Sequence, residues 1–206
     1  RRKKNMIYKK ILLVLSISII SLSLISCSKN DLSIDATENS KSIESNDLKE
    51  EENEETVSID KQEVINKLCS YEFEGRWIGS AGNELAEEYI NDLFGQIGLI
   101  PIFNESYKEE YTQEVYKNYG LIAEDDYGEV KTINNIVGKI EGNSNNAVII
   151  SAHFDHIGIQ DGKIIRGAID NASGVSVLLD LAEILNNKYS VNEPAFDIIF
   201  CAFNGE

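Results

Sequence analysis

The sequence predicts an α/β domain, three-layer α/β/α with a mainly parallel (mixed) sheet, and three observations carry that expectation. Residues 147–152 and 196–203 are short, almost continuously apolar runs, as strands buried on both faces are. Between them, over 172–187, Val175, Leu178, Leu179, Ala182 and Leu185 recur at three- and four-residue spacing and make one helical stripe. Strand, helix and strand in that order form a right-handed crossover, which leaves its two strands parallel.

The other elements follow in chain order. A short helix is expected near 62–70, and Gly75-Arg76 and Gly79-Ser80-Ala81-Gly82 mark turns behind it. From Asn83 to about Ile97, Leu85, Tyr89, Ile90, Leu93, Phe94 and Ile97 keep helical spacing, and Gly98 stands where a left-handed cap is wanted. Residues 107–122 are Tyr-rich and alternate imperfectly, which suggests a strand or two, and 133–140 reads as another. Cys69 lies in a helical apolar pattern and Cys201 in a buried strand, without Cys-x-x-Cys spacing, so both are expected as buried free thiols.

Charge divides the 206 residues into three parts. The net charge of −16 repels phosphate backbones and argues against nucleic acid as a partner. Residues 1–26 carry six bases and no acid. Within them Lys9 and Lys10 precede the apolar stretch 11–25, which four serines dilute and which is shorter than the roughly 18–20 residues of a membrane span. It reads as the apolar core of a secretory signal, with translation starting at Met6. Its end, Leu24-Ile25-Ser26-Cys27, resembles the bacterial lipobox, so 1–26 is expected to be a lipoprotein signal peptide and Cys27 the lipid-attachment residue. Residues 27–60 are acidic, rich in Ser and Asn and free of aromatic residues, and are expected to form a disordered tether. Residues 61–206 are then a single folded region at the extracytoplasmic membrane surface, anchored through the N-terminal lipid.

Ligands of open α/β sheets bind beyond the carboxyl ends of the strands. The first apolar run leads into His153-Phe154-Asp155-His156, which holds both histidines of the chain, and the second into Asn204-Gly205-Glu206. Asp170 lies between them in the small-residue loop Gly167-Ala168-Ile169-Asp170-Asn171-Ala172-Ser173-Gly174. Imidazole nitrogen and carboxylate oxygen together suit zinc, which makes His153 and Asp170 candidate ligands. Asp155 is placed to accept the second ring N–H of His153, and His156 reads as a supporting or surface residue.

These motifs, with Glu74-Gly75-Arg76, Gly79-Ser80-x-Gly82-Asn83 and Asn135-Ile136-Val137-Gly138, resemble the co-catalytic zinc aminopeptidases, metallopeptidase family twenty-eight, over about residues 62–206. The resemblance implies a zinc-exopeptidase-like fold and a zinc-dependent exopeptidase, an aminopeptidase first, acting on peptides. It implies two zinc ions in the complete protein, with His153 holding one, Asp170 bridging both, Asp155 supporting His153 as an active-site residue and Glu206 as the catalytic base. Family members carry a second glutamate after the base and further Asp and His ligands. Here the sequence stops at Glu206, so the chain is expected to be an N-terminal fragment, inactive by itself, whose remaining ligands and specificity pocket lie beyond residue 206. The alternatives are a single-zinc acyltransferase like glutaminyl cyclase, which shares the His-x-Asp and Gly-Glu elements, and a non-catalytic binding ectodomain. Side-chain specificity and oligomeric state stay open.

Overall fold

The computed structural model describes residues 58–116 and 128–206. The expected signal peptide 1–26, Cys27, the tether up to residue 57 and the end of the Tyr-rich stretch, 117–122, lie outside the described residues.

Helix α1 spans Lys61–Leu68, and the Asp60 side chain caps it by accepting from the N–H groups of Gln62 and Glu63. Helix α2 runs Ala81–Ile97, two residues ahead of the expected start, because Ser80 Oγ accepts the Asn83 N–H and so acts as N-cap. Gly98 ends it at φ 83°, the left-handed conformation that glycine adopts without a Cβ penalty. The strands are β1 (Ile100–Pro101), β2 (Lys108–Val115), β3 (Glu129–Ile140) and β4 (Ala147–His153). They continue with the small hairpin β5 (Ile159–Gln160) and β6 (Lys163–Ile164), and with β7 (Asp197–Phe203) beyond helix α3 (Ser173–Lys188).

The main sheet has the order β1-β3-β7-β4, with β2 also paired to β3. It is mixed, as expected, but its parallel part is smaller than the sequence suggests. Strand β4 runs parallel to β7, from Ala147 opposite Asp197 to His153 opposite Phe203, whereas β1, β2 and β7 all pair antiparallel with β3. Only β4 and β7 are consecutive strands of the sheet joined through a helix, the connection that a parallel pair requires.

Side chains alternate across a strand, so Ile198, Phe200 and Ala202 of β7 share one face. Val64 and Leu68 of α1, Ile90 and Phe94 of α2, and Val175, Leu178 and Leu179 of α3 form one core with them. The opposite face carries buried Val137 and Cys201 beside half-exposed Ile149. The described residues thus supply two of the three expected layers, one of helices and one of sheet. Cys69 and Cys201 are free and buried, and burial pushes the Cys201 thiol up to about 11. No helix among the described residues is long and apolar enough to cross a membrane.

The parallel register brings the ends of β4 and β7 side by side, and both candidate segments leave the sheet there.

Candidate active site

His153 is the last residue of β4. The chain beyond it is fixed at once, since Phe154 N–H donates to Phe203 O at 2.9 Å and His156 N–H to Arg76 O at 3.1 Å. After the β5–β6 hairpin the backbone turns at Gly167, whose φ of 60° suits glycine and whose Cβ, were there one, would strike the His156 ring. Asp170 and Asn171 follow, joined by a cis peptide bond, before α3 begins.

The structure brings His153, Asp155, His156 and Asp170 together. His153 Nε2 lies 3.1 Å from Asp170 Oδ1, and His156 Nδ1 lies 3.4 Å from Asp170 Oδ2. The two carboxylate oxygens of Asp170 therefore face two different imidazoles. Asp170 is two-thirds exposed and His156 almost wholly buried, so the carboxylate stands at the mouth and the rings form the floor. Among the described residues no group of three or more His, Cys, Asp and Glu side chains is arranged to hold a metal ion by itself.

On its other side His153 Nδ1 faces Asp155 Oδ1 at 3.6 Å, and these two buried atoms have no hydrogen-bond partner. The separation is just beyond a hydrogen bond, and with a metal on Nε2 the proton would sit on Nδ1, directed at the carboxylate. That tautomer leaves a lone pair on Nε2 directed at a carboxylate oxygen, which can only accept. Two acceptors 3.1 Å apart need a proton or a metal cation between them. Zinc fits: nitrogen and oxygen ligands at about 2.1 Å in tetrahedral array lie about 3.4 Å from each other. The pair supplies two of the four donors that zinc takes.

Burial raises the Asp155 carboxyl above its ordinary value, against the opposing effects of the Glu206 N–H, which reaches Oδ2 at 3.0 Å, and of the His153 ring. Burial likewise lowers His156, keeping that ring neutral more readily.

Glu206 is reached through Gly205 from the end of β7. It lines a cleft of about 500 Å³ together with His153, Asn171, Tyr111, Asn135 and Phe203. The strand end that carries Glu206 is held by buried amides. Asn204 and Asn83 exchange side-chain hydrogen bonds at 2.9 and 3.0 Å, Asn204 N–H donates to Asn135 Oδ1 at 2.9 Å, and Tyr111 Oη donates to Asn204 O. Sequence reasoning saw Asn83, Asn135 and Asn204 only as letters of separate motifs and passed over Tyr111. A polar residue inside an otherwise apolar helical or strand pattern was the available signal.

Arg76 was also missed as a site residue. It is fully buried, and its guanidinium bonds to the carbonyls of Phe154 (2.7 Å), Arg166 (2.8 Å), Gly167 (3.0 Å) and Leu68.

Residues 135–206 match the family model of Peptidase family M28. The chain is 30% identical over 147 residues to the alkaline phosphatase isozyme conversion protein of Escherichia coli K12, covering 65% of this chain and 38% of that protein. Among solved structures, a glutaminyl cyclase of Fimbriiglobus ruber aligns at 16% identity with a TM-score of 0.50, over 74% of this chain and 47% of that one. A leucine aminopeptidase precursor of Bacteroides thetaiotaomicron aligns at 21% identity with a TM-score of 0.46, over 73% and 49%. The chain thus spans 38% of the curated relative and about half of each of these structures. The Fimbriiglobus likeness establishes the α/β fold and no more than the fold.

Proposed function

We propose, on the premise that residues 135–206 belong to peptidase family M28, that the protein is a zinc-dependent exopeptidase, most simply an aminopeptidase, acting on peptides. One observation carries the reading: His153 Nε2 and Asp170 Oδ1 face each other at 3.1 Å while Asp155 lies behind the other ring nitrogen. His153 and Asp170 would hold zinc. Asp170, with its oxygens directed two ways, would bridge a pair of ions in the complete protein. Zinc supplies Lewis acidity there, acidifying water and polarising a carbonyl.

The chain's own residues do the rest. Asp155 holds the His153 ring so that Nε2 points outward, and it anchors the Glu206 backbone through Oδ2. Glu206, at the edge of the cleft, takes the proton of the attacking water and passes it to the leaving amine. Tyr111, Asn83 and Asn135 keep the Asn204-Gly205 segment in place, so that Glu206 lines the cleft. The anionic tether and the lipobox-like Cys27 complete the proposal with a lipid anchor on the extracytoplasmic membrane surface.

The test uses the protein purified from its host. Glu206→Gln should lower kcat on an aminoacyl chromogenic substrate by about 10² to 10⁴-fold with zinc content unchanged. His153→Ala and Asp170→Asn should each lose zinc. Wild-type turnover in Glu206→Gln, or full zinc in both ligand variants, would remove the reading. One zinc per chain with cyclase activity would replace it by the glutaminyl cyclase alternative.

A further inference from the structure

Arg76 is completely buried, yet no carboxylate hydrogen-bonds to its guanidinium. Besides a contact with the Cys69 thiol, its guanidinium bonds to backbone carbonyls of three separate segments. Nε donates to Phe154 O, in the loop between His153 and Asp155. Nη1 and Nη2 donate to Arg166 O and Gly167 O, at the start of the turn that presents Asp170. Nη1 also reaches Leu68 O, the last carbonyl of α1. The backbone adds to this. Arg76 O accepts the His156 N–H, and Gly75 O accepts the Gly158 N–H at 3.0 Å.

A planar fork of five donors can span several carbonyls at fixed angles, which a lysine ammonium on a flexible stem cannot. A buried cation needs compensation, and here Cys69, beside the guanidinium, comes first, followed by the carboxylates of Asp155 and Asp170. The cation therefore lies beneath the acidic groups whose loops it binds.

We propose that Arg76 is a positioning residue of the metal centre: by tying the His153–Asp155 loop to the Gly167–Asp170 turn, it sets the separation of His153 and Asp170. The inference rests on the reading of those two residues as ligands. A purely structural arginine, needed only for the end of α1 at Leu68, would affect folding and leave the metal affinity of the folded protein alone.

The experiment measures zinc affinity by competition with a chromophoric chelator, on metal-stripped protein from the host, together with the melting temperature of the metal-free form. Arg76→Lys keeps the charge and loses the fork. Its zinc affinity should fall by about 10 to 100-fold, the usual effect of losing a group that orients ligands from behind. Ile90→Val, in the core of α2, should lower the melting temperature and keep wild-type affinity. Guanidinium ion in the buffer should restore part of the affinity of Arg76→Ala.

Should the Arg76 variants fail to fold, the wild-type protein still decides the matter. Coupling between sites is reciprocal, so zinc saturation must slow hydrogen exchange of the Arg76 Nε–H by a factor comparable with the affinity loss. Wild-type affinity in folded Arg76→Lys, or Nε–H exchange indifferent to zinc, would overturn the inference and leave the proposed function standing. Equal zinc binding by wild type and His153→Ala would overturn both.

Discussion

The buried amide pair between α2 and the end of β7 makes an asymmetric prediction. Asn204 finds its side-chain partners in Asn83 alone, through two hydrogen bonds. Asn83 has more: its Oδ1 also accepts the Gly79 N–H at 3.1 Å, and its Nδ2 also donates to Arg76 O at 3.3 Å. Asn83→Ala therefore strands both polar ends of the Asn204 amide and the Gly79 N–H. At about 1 kcal/mol for each stranded group, the low end of the usual range, the loss is about 3 kcal/mol, of which alanine's better helix propensity offsets about 0.5. Asn204→Ala leaves both ends of the Asn83 amide with another partner and should cost about 1–2 kcal/mol. Once Asn83 is gone, little is left for the Asn204 change to remove, so the double variant should be no less stable than Asn83→Ala. The assay is urea unfolding of the metal-free protein, read as the midpoint at constant slope. Additive losses, with the double variant falling by the sum of the two, would show that the amides do not act as a pair.

Burial holds the Asp155 carboxyl above its ordinary value of 3.8, so the folded state binds that proton more tightly than the unfolded one. The associated stability is present below 3.8 and is lost as pH rises through the folded-state value, so metal-free Asp155→Asn should melt higher than wild type at pH 7, with the gap closing in acid. A wild type that melts as high at pH 7 would contradict this. A Cβ at Gly82 would overlap the carbonyl of Phe73, which is backbone and cannot swing aside. Gly82→Ala should therefore cost about 1–3 kcal/mol or more, and an unchanged melting temperature would refute that. Cys27→Ala should shift the protein out of the membrane fraction of its host, and retention there would remove the lipid anchor.

The parts of the fold that burial dictates were legible in the sequence. Val175, Leu178 and Leu179 line the inner side of α3, and the runs around Ile149 and Phe200 are the parallel pair, because continuous apolar character over six to eight residues has few other uses. The small hairpin at Ile159–Ile164 was not legible, since two-residue strands have no periodicity to detect. Nor was the antiparallel setting of β3 against β7, which depends on which edge is free once the helices have packed. At the site, His153, Asp155 and Asp170 stood out by residue type, and the structure brings them to adjoining positions. Arg76 did not, because an arginine in a turn suggests solvent, and only the converging carbonyls of Phe154, Arg166 and Gly167 reveal it as an interior residue.

The position of β7 has a consequence for the order in which the domain can assemble as it is synthesised. Strands β3 and β4 are close neighbours in the chain, yet β7, made later than both and after the whole of α3, sits between them in space. A nascent chain that has reached Lys188 holds two strands that cannot join, each with an unmet edge facing the gap. Closure waits for residues 197–203, and the step that closes the sheet also delivers Asn204 and Glu206 beside His153. The cleft and the joining of β3 to β4 through β7 therefore arise in one event, and a polypeptide stalled before Asp197 would expose adhesive edges and have no cleft.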